Sequence, residues 1–302
     1  MTRRKLIDVL KWVWIIVVLL GAGWYFYRHY QEISQYLSTI SITRLAFCFL
    51  LLLVGKLTLS EISRLSLKKI NYSMPYHEAL TITAVTQLGK YLPGGIWHFA
   101  GKFGFYKVKG ISAKKTAQAM VIENLWLLSS AGVVGVAALL VSSKETVCQY
   151  LKFLCAPGIA NAVAWAIPAL WVAGLLVFEY IFFGKQKINL GEFSSALVFL
   201  VFIWLIYGLS FWLIFPPNGG HLLQVVGAFS LSWLLGYVTV FAPGGIGVRE
   251  VLLTVLLGAF FKSGEVAIYA AIHRLLWILA EVLLGGLSAL IFGLPVSADE
   301  KS

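Results

Sequence analysis

Ionisable side chains set inside apolar runs are the residues of this chain with the clearest potential for chemistry. Lys56, Glu123, Arg274 and Glu281 each stand within a stretch long and apolar enough to cross a membrane. A charged group at the centre of a membrane helix costs about 2.5–3.5 kcal/mol on the insertion scale, so each should face protein or water and have a partner. Several pairings are open: Glu123 with Arg274 near the midplane, or Glu123 with Lys102 and Arg274 with Glu250. Arg274, Trp277 and Glu281 recur at helical spacing and share one face. Such an intramembrane charge network serves either transport or the fold alone.

A second group surrounds two breaks. Pro93-Gly94-Gly95-Ile96 returns as Pro243-Gly244-Gly245-Ile246, 150 residues later in a chain of 302. Proline removes a backbone donor and clashes with the preceding turn, and two glycines add backbone freedom, so no uninterrupted helix runs through either word. A helix restarting after each break presents unpaired N–H groups and the positive end of its dipole near the midplane. Such ends bind phosphates and carboxylates. Lys90 and Lys102 flank the first break and Arg249 the second, a set suited to a lipid phosphate or pyrophosphate. The expected substrate-binding residues are therefore Lys90, Pro93, Gly94, Gly95, His98, Lys102, Pro243, Gly244, Gly245, Arg249 and Glu250. Glu250 could pair with Arg249 and orient it. His98 could relay protons, because imidazole titrates near neutral pH; beside Trp97 such a residue is more often interfacial. The bland alternative is that each Pro-Gly-Gly only turns a hairpin while its cations snorkel to the surface.

No catalytic constellation appears: there is no paired-carboxylate, Ser/His/Asp or Asp-rich metal motif, and no phosphate-binding P-loop, so the chain should use no ATP of its own. His77, His221 and His273 show no metal-ligand spacing, and three cysteines without a CxxC make a metal or redox site unexpected. No cofactor is expected. Cys148 and Cys155 share an expected external loop and could pair in an oxidising compartment; in a helical loop their spacing holds them roughly 10 Å apart, too far to bridge. The eleven tryptophans and thirteen tyrosines are assigned mostly to interfacial belts.

The elements that position these residues follow from composition. With 60% hydrophobic and 12% charged residues, the chain lacks the polar side chains to cover a water-soluble surface. A net charge of +11 suggests a nucleic-acid partner, but most of the positive residues sit in short loops on one side, which is the topology bias of a membrane protein. Spans are expected at 12–27, 45–62, 117–141, 159–183, 193–215 and 264–292. Between them lie two broken segments, 76–107 and 221–261, whose arms are shorter than the roughly 20 residues needed to cross. The first has strongly basic borders at both ends, so it should enter and leave on the cytoplasmic side as a re-entrant hairpin; the second should enter from outside. The expected fold is an all-α integral membrane bundle in one membrane domain, 1–302, with both termini cytoplasmic. It divides into repeats of about 1–150 and 151–302, each of three transmembrane helices plus one re-entrant hairpin. Adding 150 to the first two spans lands inside the fourth and fifth, and an odd number of crossings per half makes the repeats inverted.

The run from Gln87 to Lys102, with Lys90, Pro93-Gly94-Gly95-Ile96-Trp97-His98 and Lys102, together with Pro243-Gly-Gly-Ile-Gly-Val-Arg-Glu250, resembles the paired signature of the lysylphosphatidylglycerol synthase transmembrane family, also described as flippase-like. The resemblance covers nearly the whole chain. It implies a protein of the bacterial or archaeal cytoplasmic membrane that handles phospholipids or lipid-linked sugars. The aminoacyl-transferase members carry a large soluble domain after the membrane part, whereas this chain stops ten residues beyond its last expected span, so lysyl transfer is not expected of it. Three readings result. The leading one is a transporter or flippase that binds an anionic lipid head group or lipid-linked sugar between the hairpins. The second is a non-catalytic partner of a glycosyltransferase or cell-envelope assembly complex, and the third, a membrane-embedded enzyme, lacks a motif. A homo-oligomer is open.

Overall fold

A computed structural model describes residues 40–91, 96–143, 159–183, 189–216, 220–239 and 242–294, with Gln31, Ser34 and Ser38 before them. The expected span at 12–27, the first Pro93-Gly94-Gly95 and the Cys148 and Cys155 loop lie outside the described residues.

Within the described residues the chain is all helix. Five helices are long and apolar enough to cross a membrane: α1 (Ile42–Lys68), α4 (Ala113–Ser142), α5 (Ile159–Phe183), α6 (Leu190–Trp212) and α9 (Ser263–Phe292). The 27 residues of α1 and the 30 of α4 and α9 rise about 40–45 Å at 1.5 Å per residue, more than the ~30 Å of a hydrocarbon core. Between them stand four shorter helices: α2 (Tyr76–Gln87), α3 (Trp97–Val108), α7 (Leu222–Val238) and α8 (Val248–Leu257). The longest of these, α7 with 17 residues, rises only about 26 Å, so none of the four crosses alone. A 3-10 turn at Leu88–Tyr91 follows α2, and another at Pro243–Gly245 lies between α7 and α8.

Local chemistry sets several ends. The Asn189 side chain accepts from the N–H groups of Gly191 and Glu192, starting α6 three residues before the expected 193. Gly110 adopts φ +76 after α3, and the Gly110 and Ile111 amides donate to Lys107 and Tyr106 carbonyls, a Schellman closure that only glycine adopts without strain.

The contacts fall into pairs. Helix α4 packs along α7, and α9 packs along α2; α1 packs on α2, as α6 does on α7; α3 joins α2 to α4, as α8 joins α7 to α9. Helices α1 and α6 pack on each other, and the two 3-10 turns touch. Small residues permit this closeness, because apolar burial alone gives no preference for protein over lipid tails. A Cβ on Gly135 would lie 3.2 Å from the Gly227 carbonyl, where α4 crosses α7, and one on Gly285 would lie 3.3 Å from the Ala84 carbonyl, where α9 crosses α2. The inner faces of α1, α4, α6 and α9 form one continuous core around Trp126, Trp204, Tyr106 and Tyr269. Outward faces carry bare leucines and isoleucines, such as Leu275, Leu290 and Ile291. A surface of that kind is covered by lipid or partner protein, not water, and the chain is read as a multi-pass membrane protein.

Candidate functional site

Charged side chains gather where the two interrupted segments meet. On α9, Glu281 is buried and accepts from four donors. Its Oε1 takes the ammonium groups of Lys56 from α1 and Lys90 from the first 3-10 turn, and the Trp277 Nε1–H at 2.8 Å. Its Oε2 takes the Tyr91 hydroxyl at 2.7 Å. The Lys56 ammonium also sits 3.4 Å from the centre of the Trp277 ring, so a ring face and a carboxylate together replace the water it lost. Lys90 makes a further bond to the Gln87 carboxamide oxygen at 3.2 Å. One carboxylate thus ties α1 and the first break to α9.

The second group is a closed pair. Lys102 of α3 donates to both oxygens of Glu123 on α4 at 2.6 Å, and both side chains are buried. Of the pairings open from sequence, this one is present. Lys90 and Lys102 therefore point inward and do not snorkel.

The third group departs from expectation. Glu250 does not hold Arg249 or Arg274. Gly247 sits at φ +84 immediately before α8, which leaves its N–H without a helical partner, and the Glu250 carboxylate reaches back to accept it at 2.7 Å. The same bond takes one of the amides at the helix N-terminus that the sequence left open for a ligand. Arg274 turns instead to the Gly244 carbonyl, which the left-handed turn at the break (φ +59) aims toward it. Neither Arg249 nor Arg274 makes an ion pair among the described residues. The Arg249 guanidinium lies 5.4 Å from the Trp233 ring centre, and its Nε is buried without a hydrogen-bond partner among the described residues. Two glycines clear its path: a Cβ on Gly236 would stand 2.5 Å from Arg249 Cγ, and one on Gly245 2.8 Å from its Nε.

These groups border one cavity of about 50 Å³, enough for a few waters. Lys56, Lys90, Lys102, Arg249 and Glu123 supply its charges, Gln87 and Asn124 its amides, and Trp204, Tyr207, Trp233, Tyr237 and Trp277 an aromatic wall. His98 lines it as well, its ring against Phe99 and edge-on to Tyr237. Of the expected binding residues, Lys90, His98, Lys102 and Arg249 meet at this cavity, whereas Glu250 is spent on the backbone. Gly244 lies in the second break, where its Cα faces the Tyr91 ring of the first: a Cβ there would come within 3.3 Å. Pro243 begins the same turn. Among the described residues no three His, Cys, Asp or Glu converge as metal ligands.

Sequence reasoning missed the aromatic wall. Trp126, Trp204, Tyr207, Tyr269 and Trp277 are buried in the bundle, not ranged in belts. Ring faces and indole N–H groups are what buried ammonium and carboxylate groups need around them. The signal was available in the four-residue spacing of Trp277 and Glu281, and in Tyr91 directly after Lys90. Compared with known proteins, the chain matches no family model and no curated relative.

Proposed function

We propose that this chain is a flippase-like membrane transporter that moves an anionic phospholipid or lipid-linked saccharide across the cytoplasmic membrane of a bacterium or archaeon and performs no covalent chemistry. The carrying observation is Arg249: a buried guanidinium at a cavity between the two broken segments, without a carboxylate partner among the described residues. An uncompensated buried cation costs several kcal/mol, and an anionic head group would offset that cost.

Three further features support the reading. The paired contacts, α4 with α7 as α9 with α2, are those expected of two halves related by a two-fold axis, and inverted repeats with breaks near the midplane are a transporter architecture. The short helices flanking each break are consistent with re-entrant hairpins entered from opposite faces. The resemblance of the two Pro-Gly-Gly words to the lysylphosphatidylglycerol synthase transmembrane family points to lipid as substrate. A 50 Å³ cavity is too small for a head group, so on this reading the structure is a closed form whose repeats must part.

That closed cavity also favours a second reading, a non-catalytic partner of an envelope glycosyltransferase, which moves no lipid. Purified protein in liposomes, with labelled lipids and a membrane-impermeant quencher, separates the two. Transport above protein-free vesicles, reduced at least tenfold in Arg249→Ala and Lys102→Ala, is the expected outcome. Full activity in both variants removes the site, and no activity with any anionic lipid removes the transporter.

A further inference from the structure

The residues around the cavity do not balance in charge. Among the described residues, Lys56, Lys90, Lys102, Arg249 and Arg274 face only three carboxylates, Glu123, Glu250 and Glu281. The stretches of the two breaks outside the described residues, 92–95 and 240–241, add none: they read Leu-Pro-Gly-Gly and Val-Phe. Two positive charges are left: Arg249, buried in the cavity wall, where an uncompensated ion is strongly disfavoured, and Arg274, half-buried behind the lining. They are also placed alike. Arg249 and Arg274 are the two without ion pairs among the described residues, and both stand at the second break, Arg274 bonded to Gly244 and Arg249 packed on Gly245. A further polar group waits beside them: the Tyr207 hydroxyl lines the cavity, buried, with no hydrogen-bond partner among the described residues. The lysines differ. Lys102 is held twice by Glu123, and Lys56 and Lys90 share Glu281, so neither set is available without breaking an existing pair.

We infer that the head group this cavity takes carries two negative charges, a phosphomonoester or a diphosphate diester, and that its anionic oxygens are received by Arg249, with the Tyr207 hydroxyl as a second donor. A single-charge phosphodiester would leave one of the two cations uncompensated. Guanidinium suits the task because its planar fork presents several N–H donors to phosphate oxygens at once. This assignment rests on the reading of the cavity as a substrate site and narrows the chemical class of that substrate.

The test uses three probes with one identical ten-carbon prenyl tail: the monophosphate, the diphosphate linked to glucose, and the methyl phosphodiester. Affinity for the full chain in detergent is read from tryptophan fluorescence, since Trp204, Trp233 and Trp277 line the site. Both dianionic probes are expected to bind at least tenfold more tightly than the phosphodiester, and whichever of them binds tighter identifies the head group's source. Gln87→Glu supplies a charge-swap control. Gln87 already contacts Lys90 from the cavity wall, so the nearly isosteric change adds one carboxylate and should shrink the tenfold preference to less than threefold. Arg249→Gln, checked for an unchanged melting profile without ligand, should lose it as well. Equal binding of all three probes by the unmodified protein, or a preference that Gln87→Glu leaves intact, overturns the two-charge assignment while leaving a substrate site in place. No binding of any probe overturns the substrate site itself.

Discussion

Replacing Glu281 with glutamine tests the central contact most severely. The side chain keeps its shape and one acceptor oxygen but loses the charge that two buried ammonium groups share. Removing one partner of a buried ion pair costs about 3–5 kcal/mol, because the other charge is left without compensation. Here two lysines are left, together with the Trp277 and Tyr91 donors, so the upper part of that range applies. At roughly 2–4 °C per kcal/mol for chains of this order of size, the melting temperature should fall on the order of 10 °C. The measurement is a thermal scan in detergent at one fixed scan rate, followed by tryptophan fluorescence. A second substitution isolates the electrostatics: Lys56→Met in the Glu281→Gln background removes one stranded cation and should restore part of the loss, a coupling of about 1–3 kcal/mol. A Glu281→Gln melting point within about 2 °C of the parent, or strict additivity of the two changes, would refute the idea that this carboxylate holds α1 and the first break to α9.

Packing and capping give further expected outcomes. Gly55→Ala places a Cβ 2.1 Å from the Tyr207 ring and should cost about 1–3 kcal/mol by overpacking, whereas Gly104→Ala meets nothing within 4 Å and should be neutral or stabilising by up to ~1 kcal/mol; the same thermal scan compares them. Gly244→Ala, at φ +59 with Arg274 Nη2 3.0 Å away, should lose at least 1 kcal/mol and displace Arg274, while Gly110→Ala, at φ +76 in open space, should show only the conformational part. Asn189→Ala removes the acceptor for two amides at the start of α6 and should cost about 1 kcal/mol, read as a lower melting point in the same thermal scan.

The helices were readable because a membrane imposes a simple rule: apolar runs of sufficient length, ended by charge, proline or glycine. Expected spans at 45–62, 117–141, 159–183, 193–215 and 264–292 overlap α1, α4, α5, α6 and α9 with end shifts of a few residues. Those shifts trace to caps such as Asn189 and to helices that run past the hydrocarbon edge, as α1 does through Arg64 to Lys68. The ionisable residues were equally readable, since Lys56, Glu123, Arg274 and Glu281 stand out against apolar neighbours.

Partner choice was not. Adjacency in the chain made Arg249 and Glu250 a natural pair, yet consecutive residues on a helix point in different directions, and the unpartnered Gly247 amide competed for the carboxylate. Glu281 and Lys56 are 225 residues apart, and only the packing of α1 on α9 brings them together. The sequence by itself determined that the chain is a helical membrane protein with two breaks and a handful of buried charges, because hydropathy and backbone chemistry are local. The tertiary structure alone decided which charges neutralise one another and which cations, Arg249 and Arg274, have no ion pair among the described residues. Those outcomes depend on distances of a few ångströms between helices remote in the chain.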